Sequence, residues 1–184
     1  MSKRNVFISF HQDDAGEVEE FLSTFKNEFN EVRTLGVQAE DTDIHEAINS
    51  DDSEYVMRRI REKYISNTSC TIVLIGQCTW ARRYVDWEVA ATLKDLQNDP
   101  RGGLIAVQLK SADKNGWKRL PSRVEMNIGY DLNDEQYGYA RFYGPPQTGL
   151  TLRNYVEGAV SRRDSSEPAT GSTKNLRKQS ASCP

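Results

Sequence analysis

Residues 69–76, SCTIVLIG, make an apolar run of strand length with no polar alternation. A strand of that kind has to be covered on both faces. Helices above and below a mostly parallel sheet provide that cover, so this run narrows the fold more than any other part of the chain. The rest of the sequence alternates in the same sense. Residues 4–10 of RNVFISFHQDD predict a first strand, and DAGEVEEFLSTFKNEF predicts a helix with Val18, Phe21, Leu22, Phe25 and Phe29 on one face. EVRTL reads as a short second strand, and EYVMRRIREKYI as a second helix with Val56, Ile60 and Tyr64 inward and its Arg and Glu residues outward. Beyond the central strand, QCTWARRYVDWEVAATLKDLQND predicts a turn and a third helix with a core stripe of Val85, Val89, Leu93 and Leu96, ended by Pro100 and Gly102. GLIAVQL is then a fourth strand, 110–139 a long polar connection, ARFYG an edge strand, and LTLRNYVEGAV a closing helix with Leu152, Tyr155, Val156 and Val160 inward. The expected fold is α/β, a parallel sheet of about five strands with helices on both faces.

A chain of 184 residues, 37% of them hydrophobic, suits one substantial core, expected over residues 1–162. Residues 163–184 contain a single Leu and no aromatic residue, which predicts a disordered tail dispensable for folding. Lys and Arg number 24 against 27 Asp and Glu, a net charge of -3 that speaks against a nucleic-acid partner. No apolar run has the length of a membrane span and the N-terminus has no signal-peptide pattern, so the expected location is the cytoplasm, with no membrane partner. Cys70, Cys78 and Cys183 are odd in number and lack C-x-x-C spacing, which argues against a disulfide framework and against structural zinc; Cys70 reads as core.

In a doubly wound sheet of order 2-1-3-4-5, ligands bind outside the carboxyl ends of strands 1 and 3. Phe10, His11 and Asp14 from the end of strand 1 converge there with GQCTWARRYVDWE from the end of strand 3. Glu88 stands out in the second segment, in the second turn of the helix at the edge of the core stripe, half out of water. It reads either as a reactive carboxylate or as a helical glutamate paired with Arg82 or Arg83. Phe10 and Trp80 have faces suited to stacking on a base and equally to filling core. His11 suits a phosphate or ribose hydroxyl, or simply a polar rim. Arg82 and Arg83 suit a pyrophosphate or solvated ion pairs. Residues 36–53 hold six carboxylates and no Lys or Arg, a loop in which Asp41 and Asp43 either cover the site or are merely solvated. His45 has no assigned role, and Cys78 lacks the paired base that a nucleophile needs.

The strings VFISF, with Phe7, Ile8, Ser9 and Phe10, and YVDWE resemble the TIR domain family. There the first strand carries a Phe-Ile-Ser-Tyr or Ser-Phe type motif and the third helix a Trp-Cys-x-x-Glu motif. Tyr84 takes the Trp slot, Val85 the Cys slot and Glu88 the Glu slot. RNVFISFHQDD together with NTSCTIVLIGQCTWARRYVDWEV resembles more closely the TIR-like, ThsB-type proteins of bacterial antiphage Thoeris systems, over residues 4–95. The resemblance implies a flavodoxin-like, TIR-like fold and an enzyme that cleaves NAD between nicotinamide and ribose, making an ADP-ribose-derived, cyclic signal nucleotide. Glu88 would be catalytic, and Phe10, His11, Asp14, Trp80, Arg83 and Tyr84 would bind substrate. NAD would be a substrate, with no cofactor and no metal, in keeping with the lack of a G-x-G-x-x-G or P-loop string. The resemblance also implies a separate effector protein that senses the product, and allows for a phage-derived activator and a homo-oligomer.

Competing readings share the fold. A phosphoreceiver matches Asp13 and Asp14 but needs an acceptor Asp at the end of strand 3, where this chain has Gly76. A non-catalytic TIR interaction module would use the same scaffold to join other TIR domains through loop and helix faces, a reading that Glu88 speaks against. A nucleoside deoxyribosyltransferase-like enzyme would use a glutamate but consume a nucleoside instead of NAD.

Overall fold

A computed structural model gives the architecture and describes residues 3–34, 52–113, 119–130 and 136–183. The apolar run becomes β3 (Cys70–Ile75), every residue of which is buried. It pairs in parallel with β1 (Asn5–Ser9) on one edge and β4 (Gly103–Gln108) on the other. With β2 (Glu31–Thr34) beside β1 and β5 (Arg141–Tyr143) beside β4, the sheet has the order β2-β1-β3-β4-β5 and is parallel throughout. The expected α/β class and strand order are those observed.

The pleat sorts the apolar side chains into two layers. Val6, Ile8, Ile72, Leu74, Ile105 and Val107 pack beneath α1 (Ala15–Phe25) and, further along the chain, a helix formed by Gly149–Ser165. On the other face Phe7 meets α2 (Ser53–Ile60), while Val73, Ile75, Leu104 and Ala106 lie beneath α3 (Arg83–Leu93) and α4 (Ser122–Ile128). Gly149–Ser165 is therefore α5, and helices cover both faces. No helix among the described residues is long and apolar enough to cross a membrane. The expected loop residues Asp41, Asp43 and His45 lie outside the described residues. Asp52, the last carboxylate of that acidic stretch, caps α2 by accepting hydrogen bonds from the backbone N–H groups of Glu54 and Tyr55 at 3.0 and 3.1 Å.

Four expectations are corrected. α3 stops at Leu93 and does not run on to Pro100, so Leu96 leaves the core stripe and bridges Asp99 in a turn. The connection 110–139 contains α4, whose Val124 and Ile128, one turn apart, are both fully buried. Residues 163–165 belong to α5, and 166–183 lie against the α3–α4 side of the molecule, where Leu176 joins the cluster around Trp87. That packing rests on backbone polar groups finding buried partners, which a count of apolar residues does not register. Finally, Cys78 and Cys183 form a disulfide across 105 residues, leaving Cys70 as the free, buried thiol.

Arg61 departs from the outward orientation expected of the α2 arginines. It is 2% exposed, and its guanidinium donates to carbonyls at the end of α3 and in the following turn. These are Ala91 at 2.7 Å, Thr92 at 3.2 Å, Asp99 at 3.0 Å and Pro100, with the Asp99 carboxylate at 2.5 Å. A cation at a helix C-terminus also opposes the negative end of the helix dipole. This clamp ends α3 and joins it to α2. Arg61→Met, which keeps the length but no donor, should lower unfolding free energy by about 3–5 kcal/mol in urea denaturation, the scale of a broken buried charge network. The same change at the exposed Arg58 should be nearly silent.

Candidate active site

The alternation of β1 decides what it presents at its carboxyl end. Val6, Ile8 and Phe10 belong to the α1–α5 layer, so Phe7 and Ser9 face α2 and α3. The Ser9 hydroxyl donates to Oε2 of Glu88 at 2.5 Å, joining the end of β1 to the middle of α3. Behind that contact the Thr92 hydroxyl donates to the Glu88 carbonyl at 2.9 Å and lies 2.7 Å from the Thr71 hydroxyl of β3. The helical turn that carries Glu88 is thus tied to both central strands.

Glu88 is 4% exposed and pairs with neither Arg82 nor Arg83, which corrects the half-solvated reading. α3 is buried along its whole run from Val85 to Leu93, because α2 and α4 cover its two flanks. Burial pushes the Glu88 carboxyl up from its ordinary 4.5 to about 8, against the smaller downward pull of the Ser9 hydrogen bond. Among the described residues a single hydroxyl donor meets this group, which leaves most of a carboxylate's accepting capacity unmet and favours the neutral form.

The remaining expected residues divide between two places. Tyr84 precedes Glu88 by one helical turn and is 38% exposed, so the line from Glu88 along α3 leads to the surface at Tyr84. The Arg83 guanidinium lies over the Tyr84 and Trp87 rings at 5.0 and 5.1 Å. Trp80, half-buried, carries the Arg119 guanidinium 4.6 Å from its ring. Arg82 keeps a buried Nε without a hydrogen-bond partner among the described residues.

Phe10 and Asp14 do not join this group. Phe10 is core on the α1 side, packed with residues such as Val18 and Phe21. Asp14 is buried against Gly76, where a Cβ would stand 2.1 Å from its carboxylate, and it accepts hydrogen bonds from Thr79 at 3.3 Å and Ser111 at 3.2 Å. Desolvation raises its carboxyl above the usual range. Asp14 therefore fills the volume that a receiver's acceptor side chain would occupy, and acts as a clasp between the ends of β1, β3 and β4. His11 turns to Asp13, with Nε2 3.0 Å from its carboxylate, so β1 reaches Glu88 through Ser9.

Sequence reasoning gave no role to four residues that matter here. Ser9 was open to detection, since a lone polar residue sharing Phe7's strand parity must face the same layer. Asp86 and Arg123 form a buried pair with both contacts at 3.0 Å, although nothing in the helical pattern distinguishes Asp86 from a solvated residue. Trp87, 5% exposed, shields the α2 side of α3. Among the described residues no group of three or more His, Cys, Asp or Glu is arranged to hold a metal ion.

The family model described as Thoeris protein ThsB, TIR-like domain, matches residues 7–114, more than half of the chain, from within β1 to beyond the end of β4. No curated protein matches the chain.

The raised Glu88 carboxyl has a consequence for stability. Between the unfolded value of 4.5 and the folded value of about 8, the native chain holds a proton that the unfolded chain has released, so stability falls as pH rises through this window. Glu88→Gln cannot ionise in either state. The difference in melting temperature between Glu88→Gln and wild type should therefore move in the variant's favour as pH is raised from about 5 to about 8, as read by calorimetry. A difference independent of pH would mean that the carboxyl is not held neutral by the fold.

Proposed function

Since the chain belongs to the TIR-like domain family of the Thoeris protein ThsB, we propose that it is an antiphage-defence enzyme that cleaves NAD at the nicotinamide–ribose bond and makes an ADP-ribose-derived, cyclic signal nucleotide. NAD is its substrate and not a resident cofactor. A separate effector protein reads the product, in the cytoplasm. The observation that carries this reading is the buried carboxylate of Glu88, set by Ser9 at the carboxyl ends of β1 and β3.

The chemistry follows from the leaving group. Nicotinamide in NAD is cationic and departs neutral, so no general acid is needed. Its departure leaves an oxocarbenium-like ribose, and a preorganised carboxylate beside that ribose lowers the barrier. In the ground state the cationic ring favours the ionised form of Glu88, drawing its carboxyl down from about 8 toward the working pH. Arg82, whose buried Nε has no hydrogen-bond partner among the described residues, and Arg83 at the start of α3 are the cations we assign to the pyrophosphate. Tyr84, exposed, and Trp80, half-buried beneath Arg119, are the aromatic rings for the substrate to stack on.

Glu88→Gln keeps the size of the side chain and removes its charge, so nicotinamide release measured under activating conditions should drop by on the order of a hundredfold or more. Equal turnover by the two folded proteins would instead favour the reading of a non-catalytic interaction module, for which the near-complete burial of Glu88 is the supporting observation.

Ser9 acts through Glu88 as a positioning residue. Ser9→Ala removes the one donor that lowers the Glu88 carboxyl, so the acid limb of kcat/KM, which reports the free enzyme, should shift to higher pH. An unchanged limb with a uniform loss of rate would assign Ser9 to packing alone.

A further inference from the structure

Residues 166–183 leave α5 and return to the helix that carries Glu88, running antiparallel to residues 78–87. Arg123, already paired with Asp86, also donates to the carbonyls of Ser172, Lys174 and Asn175. The Asp86 carboxylate accepts from the Arg177 backbone at 2.9 Å, and the Trp87 indole donates to the Arg177 carbonyl at 2.8 Å. Further on, the Arg83 guanidinium donates to the Lys178 carbonyl at 3.3 Å, the Arg83 backbone N–H to the Ser180 hydroxyl at 3.2 Å, and the Ala181 N–H to the Ala81 carbonyl at 2.8 Å. The disulfide to Cys78 then fixes the end of the segment two residues beyond Gly76.

These contacts fall on one wall of the candidate site. The partners just named for Arg177 to Cys183 belong to the connection after β3 or to the first turns of α3. At 4% exposure Glu88 meets no substrate unless a wall moves. The strap fastens the wall that bears Glu88, and it occupies the guanidinium and the backbone N–H of Arg83.

We propose that residues 172–183 are a redox-latched strap: with Cys78 and Cys183 joined, the strap holds the start of α3 closed over Glu88, and reduction of the disulfide releases it. What the latch regulates rests on the NAD reading above; the latch itself does not. The reductant is a dithiol. One of its thiolates attacks a sulfur of the Cys78–Cys183 bond, which breaks, and the other cysteine leaves as a thiolate. The second thiol of the reductant then displaces the first cysteine and closes its own disulfide. Two electrons and two protons pass from the dithiol to the two cysteines. In a thiol-reducing compartment the open form is the expected one, and oxidation shuts the site. Without the covalent tie the last contacts of the strap become independent of one another, and the chain end is free to fray.

The test compares the full chain, oxidised and after dithiothreitol, with the Cys183→Ser chain under both conditions. Hydrogen–deuterium exchange by mass spectrometry is read over residues 172–183 and 78–87, and nicotinamide release is read alongside it. Expected are faster exchange in both segments and faster turnover on reduction, with Cys183→Ser behaving as the reduced protein throughout and showing no response to the reductant. Unchanged exchange on reduction, or two titratable thiols at Cys78 and Cys183 in the oxidised protein, overturns the latch whatever the turnover. Faster exchange with no NAD consumed in either state upholds the latch and removes the NAD reading. Faster exchange with equal turnover in both states overturns the strap's hold on the site.

Discussion

The pairing of β1 with β3 is the constraint on which the functional end of this molecule depends. Their register, Val6 against Cys70 through Ser9 against Val73, brings the carboxyl ends of the two strands side by side. From that point the sheet is extended in opposite directions, to β2 on one edge and to β4 and β5 on the other. The connections that leave these two ends run to opposite faces, to α1 and to α3, so side chains have to close the space between them. Asp14 does so on the α1 side and Glu88 on the α3 side. Their circumstances differ: Asp14 is met by two hydroxyls, from Thr79 and Ser111, whereas Glu88 is met by Ser9. An acid with one donor among the described residues in a desolvated setting keeps its proton, which on the proposed reading leaves Glu88 as the reactive group and Asp14 as a clasp.

Much of this frame was legible in the sequence because period and burial are coupled. An unalternating run such as Cys70–Ile75 can only be a central strand, and Val85 with Val89 fixes which side of α3 meets the sheet. The same stripe placed Glu88 at its edge and so misjudged its depth. A helical wheel reports one contact surface, while α3 is covered by α2 through Trp87, Ala90 and Ala91, and on its other flank by α4. Covering from two sides is a tertiary fact. Phe10 failed for a related reason: its parity with Ile8 sends it into the α1 layer, and the notion of a strand end as a rim overlooks parity.

Arg61, Arg123 and the C-terminal segment were illegible for a different reason. A guanidinium that satisfies several backbone carbonyls makes its case through main-chain atoms, which every residue possesses, so no residue type on the accepting side marks the site. Arg61 sits in a helical stretch beside Arg58 and Arg59 with nothing to single it out before the end of α3 arrives beneath it. The C-terminal segment is the mirror image: poor in apolar side chains, it supplies carbonyls to Arg123, Arg83 and Trp87, donors otherwise left facing outward. Pairing Cys78 with Cys183 likewise needed the knowledge that the chain returns there.

The buried state of Glu88 ties access and chemistry together. While α3 lies closed, the carboxyl is desolvated, holds its proton and lacks the charge that would stabilise an oxocarbenium-like ribose. Any movement that admits a substrate also admits water or a cationic ring, and either one lowers the carboxyl toward ionisation. On the proposed reading, opening the wall and arming the catalyst are therefore one event. A separate general base would be superfluous, since the proton of Glu88 leaves when its surroundings become polar. The cost of holding a carboxyl in apolar surroundings at neutral pH falls on the stability of the closed fold, offset by contacts such as the Arg61 clamp and the C-terminal segment. Those contacts tie down α3, the helix that must move if Glu88 is to meet a ligand.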